Sequence, residues 1–146
     1  MLSRMLNRIV EQHPNQTAIV CGSSRMTYQE LQSSILGLSK GLQSLGVKQS
    51  DCVALVLPNC PEFVISFFTI AQLHAIALLA NSAFKVEELK HYFEDSQVSV
   101  VITDVFRAKT CRQAIKQLGR SIQLVVVGED AAAKASFQSL MDTNPD

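Results

Sequence analysis

Short apolar runs alternate with amphipathic helical patterns along most of this chain. Residues 53–57 form one such run, bounded by Asp51 on one side and by Pro58 and Asn59 on the other. This pattern is typical of a strand that is covered on both faces. Three further segments predict strands, the first of which is also expected to be buried: residues 75–80, 96–102 and 122–127.

The segments between these runs carry helix signals. Thr27 and Glu30 have the spacing of a capping box, and apolar residues then recur at helical spacing until Gly46. Asn59 is predicted to cap a helix that begins at Cys60. Four more helices are predicted: residues 2–12, 86–95, 105–118 and a last helix indicated by Ala131-Ala132-Ala133 and residues 136–141.

The inward faces of these helices follow from the same spacing. Leu89 and Phe93 are expected to face inward from the helix over 86–95. Lys85 precedes that helix and cannot accept a hydrogen bond from its first N–H groups, which predicts a weakened start. Gly119 is expected to end the helix over 105–118. The first helix is predicted to dock through Leu2, Met5, Leu6 and Ile9.

Strands that alternate with helices indicate an α/β fold. We predict a doubly wound, largely parallel sheet with right-handed crossovers and helices on both faces. The 146 residues, 47% of them hydrophobic, are enough for one domain that buries about 68–70% of its extended surface. Residues 1–146 are therefore expected to form a single α/β domain.

Residues spread along the chain match the opening of one enzyme family. They include Pro14, Gly22, Thr27 to Leu31, Gly46-Val47, Asp51, Leu57-Pro58-Asn59, Glu62-Phe63, Asn81, Glu88-Leu89, Asp95-Ser96 and Ile102-Thr103. In these positions the chain resembles the adenylate-forming, or AMP-binding, enzymes. The Leu-Pro-Asn turn resembles the acyl-CoA synthetase branch more than the peptide-synthetase branch. The resemblance implies an incomplete N-terminal subdomain of a larger AMP-binding domain.

The chain also departs from the family's pattern at several loop positions. His74 stands where the family usually has Gly, Leu79 and Ser82 stand where it usually has Pro, and Lys85 replaces a capping Thr or Ser. These differences bear on the shape of local loops and not on the fold.

A phosphate-binding loop is missing from this sequence. The family binds the triphosphate of ATP with a loop rich in Ser, Thr and Gly, because backbone N–H groups approach phosphates closely where side chains are absent. The six glycines of this chain are isolated from one another. The family's metal-binding Glu, ribose-binding Asp and catalytic Lys would all lie beyond Asp146. We therefore expect no catalytic, cofactor-binding or metal-binding residue here; ATP, Mg and CoA are implied only for a full-length parent.

Charge composition restricts the range of partners. Thirteen Lys and Arg balance thirteen Asp and Glu, which argues against a nucleic-acid binder, because such proteins cluster cationic contacts to phosphates. Four basic residues nevertheless recur on one face of the helix over 105–118 and just beyond it: Lys109, Arg112, Lys116 and Arg120. They are interpreted as a solvated outer face; contact with phosphates or an anionic membrane is the alternative.

The remaining candidates have structural interpretations. The four cysteines, Cys21, Cys52, Cys60 and Cys111, show no metal-ligand spacing and are expected to be small buried residues in a reducing, cytoplasmic protein; a disulfide or metal site is the alternative. Residues 63–80 are uncharged, but a buried helix followed by a strand is favoured over a membrane span. His74 has no assignable partner for catalysis and is expected to be satisfied by backbone at a helix end.

Ligands of doubly wound sheets gather at the carboxyl ends of the strands. Asp51 precedes its strand, which argues against a phosphorylated receiver domain. Asp104 and Asp130 are interpreted as helix caps and turn residues. The residues that follow the predicted strand ends are Asn59, Asn81-Ser82, Thr103-Asp104 and 128–130.

Three hypotheses follow. The first is the N-terminal part of an acyl-CoA synthetase-like ligase, inactive by itself, whose partner is the rest of the parent enzyme. The second is a stand-alone, non-catalytic interaction module that binds a protein, or a second copy, through an exposed apolar face. The third, ranked last, is an independent ligand-binding domain with a pocket at the strand ends.

Overall fold

The computed structural model describes residues 1–130, 132 and 135–142. Helices and strands alternate through most of this part of the chain. In order, the elements are α1 (Leu2–Gln12), β1 (Thr17–Cys21), β2 (Ser24–Thr27), α2 (Tyr28–Ser44), β3 (Cys52–Val56), α3 (Pro61–Gln72), β4 (Ile76–Leu79), α4 (Val86–Asp95), β5 (Val98–Asp104), α5 (Ala108–Leu118), β6 (Gln123–Val127), β7 (Ala135–Ser136) and α6 (Phe137–Met141).

Five strands form one parallel sheet in the order β4-β3-β5-β6-β7. Because β4 and β5 lie on opposite sides of β3, the winding direction of the chain reverses between β3 and β5. Strands β1 and β2 form a separate antiparallel hairpin. The predicted fold class, a doubly wound parallel sheet, is confirmed.

Helices cover both faces of this sheet, and each face has its own apolar core. Val53 and Leu55 of β3 point toward α1, α2, α3 and α6. Ala54 and Val56 point the other way, toward α4 and α5. Each of these four side chains is at most 1% exposed, because alternate residues of a strand face opposite sides of the sheet.

Several predicted helix ends are confirmed. The Thr27 hydroxyl accepts a hydrogen bond from the Glu30 backbone N–H at 3.2 Å, which caps α2. Leu89 and Phe93 are both fully buried, as their spacing predicted. Gly119 ends α5 in the left-handed conformation, with φ of 64°. At the start of α4, the Glu88 carboxylate accepts a hydrogen bond from the Lys85 backbone N–H at 3.3 Å. Glu88 thus satisfies one N–H group at a helix start where the Lys85 side chain cannot act as an acceptor.

The expectation that residues 75–80 form a buried strand is wrong. Strand β4 is an edge of the sheet, and Ile76 and Leu79 are 55% and 54% exposed. An apolar run indicates a strand, but the run itself does not determine whether another strand covers its outer side.

Two more predictions need correction: the N-cap of α3 and the docking face of α1. Helix α3 begins at Pro61 with Cys60 as its N-cap, and no side chain caps it, so Asn59 does not have that role. Proline fits the first helical position because its fixed φ matches the helix and its missing N–H needs no partner. Helix α1 buries Leu6 and Val10, while Leu2 and Met5 are exposed, because only one ridge of this helix meets the core.

Three strands, β1, β2 and β7, were not predicted by the hydrophobic pattern. Strand β2 follows a Gly22-Ser23 turn, and such a dipeptide between two extended segments is a hairpin signal. Strand β7 has only two residues, too few for a periodic pattern. The last helix is present as α6, with Ser136 as its cap; Ala131 and Ala133, part of the alanine-rich segment before it, lie outside the described residues.

Candidate functional site at the strand ends

The reversal point between β3 and β5 is tied together by one buried hydroxyl. Thr103, fully buried at the end of β5, donates to the Val56 carbonyl of β3 at 2.8 Å. The same two residues are register partners in the parallel ladder. This bond fixes the two carboxyl ends side by side, at the position where doubly wound sheets usually bind ligands.

Asp104 and Arg107 connect three elements just outside these ends. The Asp104 carboxylate accepts from the Arg107 backbone N–H at 3.0 Å and pairs with its guanidinium at 2.5 Å. The Arg107 Nε atom donates to the Ser82 carbonyl, beyond β4, at 3.0 Å. The prediction that Asp104 is a turn residue is confirmed, but its predicted role as a helix cap is wrong, because Arg107 is the N-cap of α5. Arg107 was missed, although an Asp three residues before an Arg at a helix start is a local pairing signal.

The other residues predicted at the strand ends are also engaged in local structure. Asp130 pairs with Arg112 of α5 and accepts from the Ala132 N–H at 3.0 Å, as expected for a turn residue. The Asn81 side chain accepts from the Ala83 N–H at 2.9 Å. Asn59 is exposed and has no side-chain hydrogen bond among the described residues.

A cleft of about 880 Å³ opens beside the end of β6. Ile65, Phe137 and Met141 supply apolar wall, and the carboxylates of Glu62 and Glu129 lie at the same cleft. No Lys or Arg is found among the described residues that line it. The cleft is therefore acidic and does not fit a phosphate group.

The helix N-termini at the reversal point are not anion sites either. Helix N-termini attract phosphates through free N–H groups and a partial positive charge. Glu62 occupies the first turn of α3, and Pro61 there has no N–H to offer. At α5 the Asp104 carboxylate already accepts from the Arg107 N–H. The triphosphate of ATP does not fit these residues.

The cysteines are free thiols in three environments. Cys52 and Cys111 are buried, as predicted, and burial raises the pKa of Cys111 to about 11. Cys60 is half-buried, and burial raises its pKa with a smaller contribution in the same direction from the Glu62 carboxylate. Cys21 is exposed, so the prediction that each cysteine is buried is wrong for that residue. No group of metal-ligating side chains is found in residues 1–130, 132 and 135–142.

The basic face of α5 divides into two kinds of residue. Lys109 and Lys116 are exposed, as a solvated face requires. Arg112 instead pairs with Asp130, and Arg120 donates to the Phe93 carbonyl at 3.3 Å. The interpretation as a solvated face is thus right for the lysines and wrong for the arginines.

His74 lies in the turn between α3 and β4 with a positive φ of 54°. Its backbone N–H donates to the Ala71 carbonyl at 3.2 Å, and its carbonyl accepts from the Ser50 N–H at 3.0 Å. These bonds are made by the main chain; the imidazole of His74 has no hydrogen-bond partner among the described residues, so the expected satisfaction of this side chain by backbone is not found. Glycine favours such a conformation, which gives a physical reason for the family's usual Gly at this position.

The sequence pattern of the family described as "AMP-binding enzyme" matches residues 6–145. The chain belongs to the AMP-binding enzyme family. Triostin synthetase I of Streptomyces triostinicus is 31% identical over 140 residues, which are 95% of this chain and 26% of that protein. The long-chain-fatty-acid–CoA ligase of Bacillus subtilis is 33% identical over 102 residues, 70% of this chain and 18% of the ligase.

Solved structures of AMP-binding enzymes have the same fold. The benzoate CoA ligase of Burkholderia xenovorans superposes with a TM-score of 0.87 at 21% identity, over 97% of this chain and 28% of the ligase. The chain spans 26% of the length of triostin synthetase I and 18% of the length of the Bacillus subtilis ligase.

Within the described residues, no helix has the length and apolar character needed to cross a membrane.

Proposed function

We propose that this chain is the N-terminal scaffold of an acyl-CoA synthetase-like ligase and has no catalytic activity by itself. In the whole enzyme, a carboxylate oxygen attacks the α-phosphorus of ATP and releases pyrophosphate, with Mg as the metal. A thiol of CoA or of a carrier then attacks the acyl carbon and displaces AMP. The family match over residues 6–145 supports this proposal, together with the small share of each relative that the chain spans.

The surfaces of the sheet support a role in packing against the remainder of such an enzyme. Edge strand β4 presents Ile76 and Leu79, and the loop after β5 presents Phe106, which is 86% exposed. Exposed apolar side chains of this kind suit a protein partner. The proposed compartment is the cytoplasm, where ATP and CoA are available and the free thiols stay reduced.

A chimera tests the scaffold role. The matching N-terminal segment of the Bacillus subtilis long-chain-fatty-acid–CoA ligase is replaced by this chain, and ATP–pyrophosphate exchange is measured with fatty acids. We expect exchange by the chimera and none by the chain alone, with the unaltered ligase as positive control. A chimera that folds without exchange would contradict the scaffold role, and exchange by the isolated chain would contradict its inactivity.

The alternative is a stand-alone interaction module, which the exposed edge of β4 favours. The intact mass of the native protein, captured from its source cells with an antibody against this segment, separates the two. A species several times heavier than 16.0 kDa supports the ligase. A native species of that mass supports the module and directs the search toward its protein partner.

A further inference from the structure

Helix α1 presents an exposed surface that combines apolar and cationic side chains. Its buried ridge is Leu6 and Val10, whereas Leu2 is 41% and Met5 55% exposed. Arg4 and Arg8 are four residues apart, so they share one face of the helix. At 3.6 residues per turn, Met5 lies between that face and the buried ridge.

This surface continues into a groove of about 680 Å³ between α1 and the turn that carries His74. Ser3, Met5 and Ile9 line the groove together with both arginines, and no carboxylate is found among the described residues of its lining. Glu11, the first acidic residue of the sequence, follows Arg8 by three residues and shares its helix face, but it is not among the described residues that line the groove. Among the described residues, neither guanidinium has a hydrogen-bond or ion-pair partner.

We propose that this face of α1 binds the surface of an anionic lipid bilayer. The two guanidinium groups have the geometry to contact lipid phosphates, and the flexible side chains of Leu2 and Met5 can enter the boundary between headgroups and acyl chains. An amphipathic helix with arginine beside apolar residues lies in the plane of the membrane. At 11 residues α1 is about 16 Å long, too short to span a bilayer.

Nucleic acid fits this face less well than lipid does. The face carries no aromatic side chain on which a base could stack, and its exposed apolar residues would gain nothing from a phosphate backbone. Binding to lipid is expected to be reversible, because two cations and two apolar side chains give a weak anchor, comparable with a single acyl chain at about 10⁴ M⁻¹.

Vesicle sedimentation tests the proposal with the full chain. Vesicles of phosphatidylcholine with and without phosphatidylglycerol are compared at low and high salt. We expect partition into the phosphatidylglycerol vesicles only, decreasing as salt rises. The variant Arg4→Gln/Arg8→Gln should partition about 25-fold more weakly, from about fivefold for each cation at an anionic surface. Met5→Gln should also weaken binding.

Matched controls separate this face from the total charge of the protein. Lys109→Gln/Lys116→Gln removes the same charge from α5, on the opposite side of the sheet, and should leave partition unchanged. Phe106→Gln removes an exposed apolar side chain elsewhere and should also be neutral. Arg4→Lys/Arg8→Lys should retain most of the binding. Circular dichroism confirms that each variant is folded.

Three results would overturn the proposal. The first is equal loss of binding in the Arg pair and the Lys pair, since net charge alone would then explain it. The second is equal partition into neutral and anionic vesicles. The third is no partition into anionic vesicles at millimolar lipid while the chain binds poly-glutamate, which would assign the face to an acidic protein.

Discussion

Gly41 of helix α2 lies so close to Leu140 of helix α6 that a Cβ atom on Gly41 would be 2.6 Å from the Leu140 Cβ atom. Gly37, one turn earlier, has the same relationship with the Met141 carbonyl. Two glycines four residues apart share one helix face. They let α6 approach the backbone of α2 directly.

Replacing Gly41 with alanine should destabilise the protein despite the higher helix propensity of alanine. Overpacking against Leu140 should exceed the propensity gain and lower the free energy of unfolding by about 1–2 kcal/mol. Urea unfolding followed by circular dichroism measures this change. Ser33→Ala, on the exposed side of α2, is the control and should be neutral or stabilising. Equal stability of the two variants would show that α6 shifts to accommodate the added Cβ atom without lowering the free energy of unfolding.

Replacing His74 with glycine should stabilise the protein. A left-handed conformation strains a residue that has a Cβ atom, and the gain exceeds the entropy that glycine adds to the unfolded chain. We expect a gain of about 0.5–1 kcal/mol in the same unfolding experiment. His91→Gly, within helix α4, should instead lose about 0.5 kcal/mol. Destabilisation by His74→Gly would indicate that the imidazole makes a contact that matters more than the backbone strain.

Alkaline stability should depend on Cys111. Burial raises the pKa of this thiol from 9.0 to about 11. Above pH 9 the unfolded chain therefore loses the proton while the folded protein keeps it, so this group destabilises the fold progressively from pH 9 to pH 11 and has no such effect below. The loss should approach about 2 kcal/mol.

Urea unfolding at pH 8 to pH 11 tests this effect of Cys111 with variants. Cys111→Ala should lose stability at neutral pH because it leaves a small cavity. The difference in free energy of unfolding between this variant and the unaltered protein, called the gap below, should narrow as the pH rises. Cys21→Ala, at an exposed position, should keep a constant gap. A constant gap for Cys111→Ala as well would contradict the raised pKa.

Arg107 should contribute more to stability than an exposed cation of the same helix. Arg107→Gln leaves the Asp104 carboxylate without its charged partner and frees the Ser82 carbonyl, at a cost of about 1–2 kcal/mol. Lys109→Gln should change stability by less than about 0.5 kcal/mol. Thermal unfolding of the two variants at low and high salt gives the comparison. Similar changes in stability for the two variants would mean that solvent screens the ion pair of Asp104 and Arg107 as it screens an ion pair at the surface.

Local signals in the sequence predicted most of the fold. The Thr27 cap, the buried pair Leu89 and Phe93, and the end of α5 at Gly119 are confirmed because each depends on residues within one or two helical turns. Strand β5 begins later than predicted, at Val98, because α4 extends to Asp95 and Gln97 takes a left-handed turn. Such boundary shifts depend on chain geometry that the hydrophobic pattern does not encode.

The strand-end residues were predictable one at a time but not as a network. The roles of Asp104 and Asp130 in turns followed from their positions after apolar runs. The pair of Asp104 and Arg107 is local, and its three-residue spacing is visible in the sequence. The bond from Arg107 to Ser82 and the pair of Arg112 and Asp130 were not predictable, because they cross 25 and 18 residues of sequence. Only the packing of α5 beside the strand ends brings these groups together.

The sequence by itself determined the alternation of strands and helices, the resemblance to AMP-binding enzymes and the lack of a glycine-rich phosphate loop. These features depend on residue spacing and composition, which reflect the local conformational preferences of the backbone and the separation of apolar side chains from water. The tertiary structure decided that β4 is an exposed edge, that α1 leaves Met5 beside two unpaired arginines, and that Gly37 and Gly41 receive α6. The exposure of a residue depends on the groups that pack against it. The same type of apolar residue occurs in the core and at the surface, so the sequence does not distinguish the two.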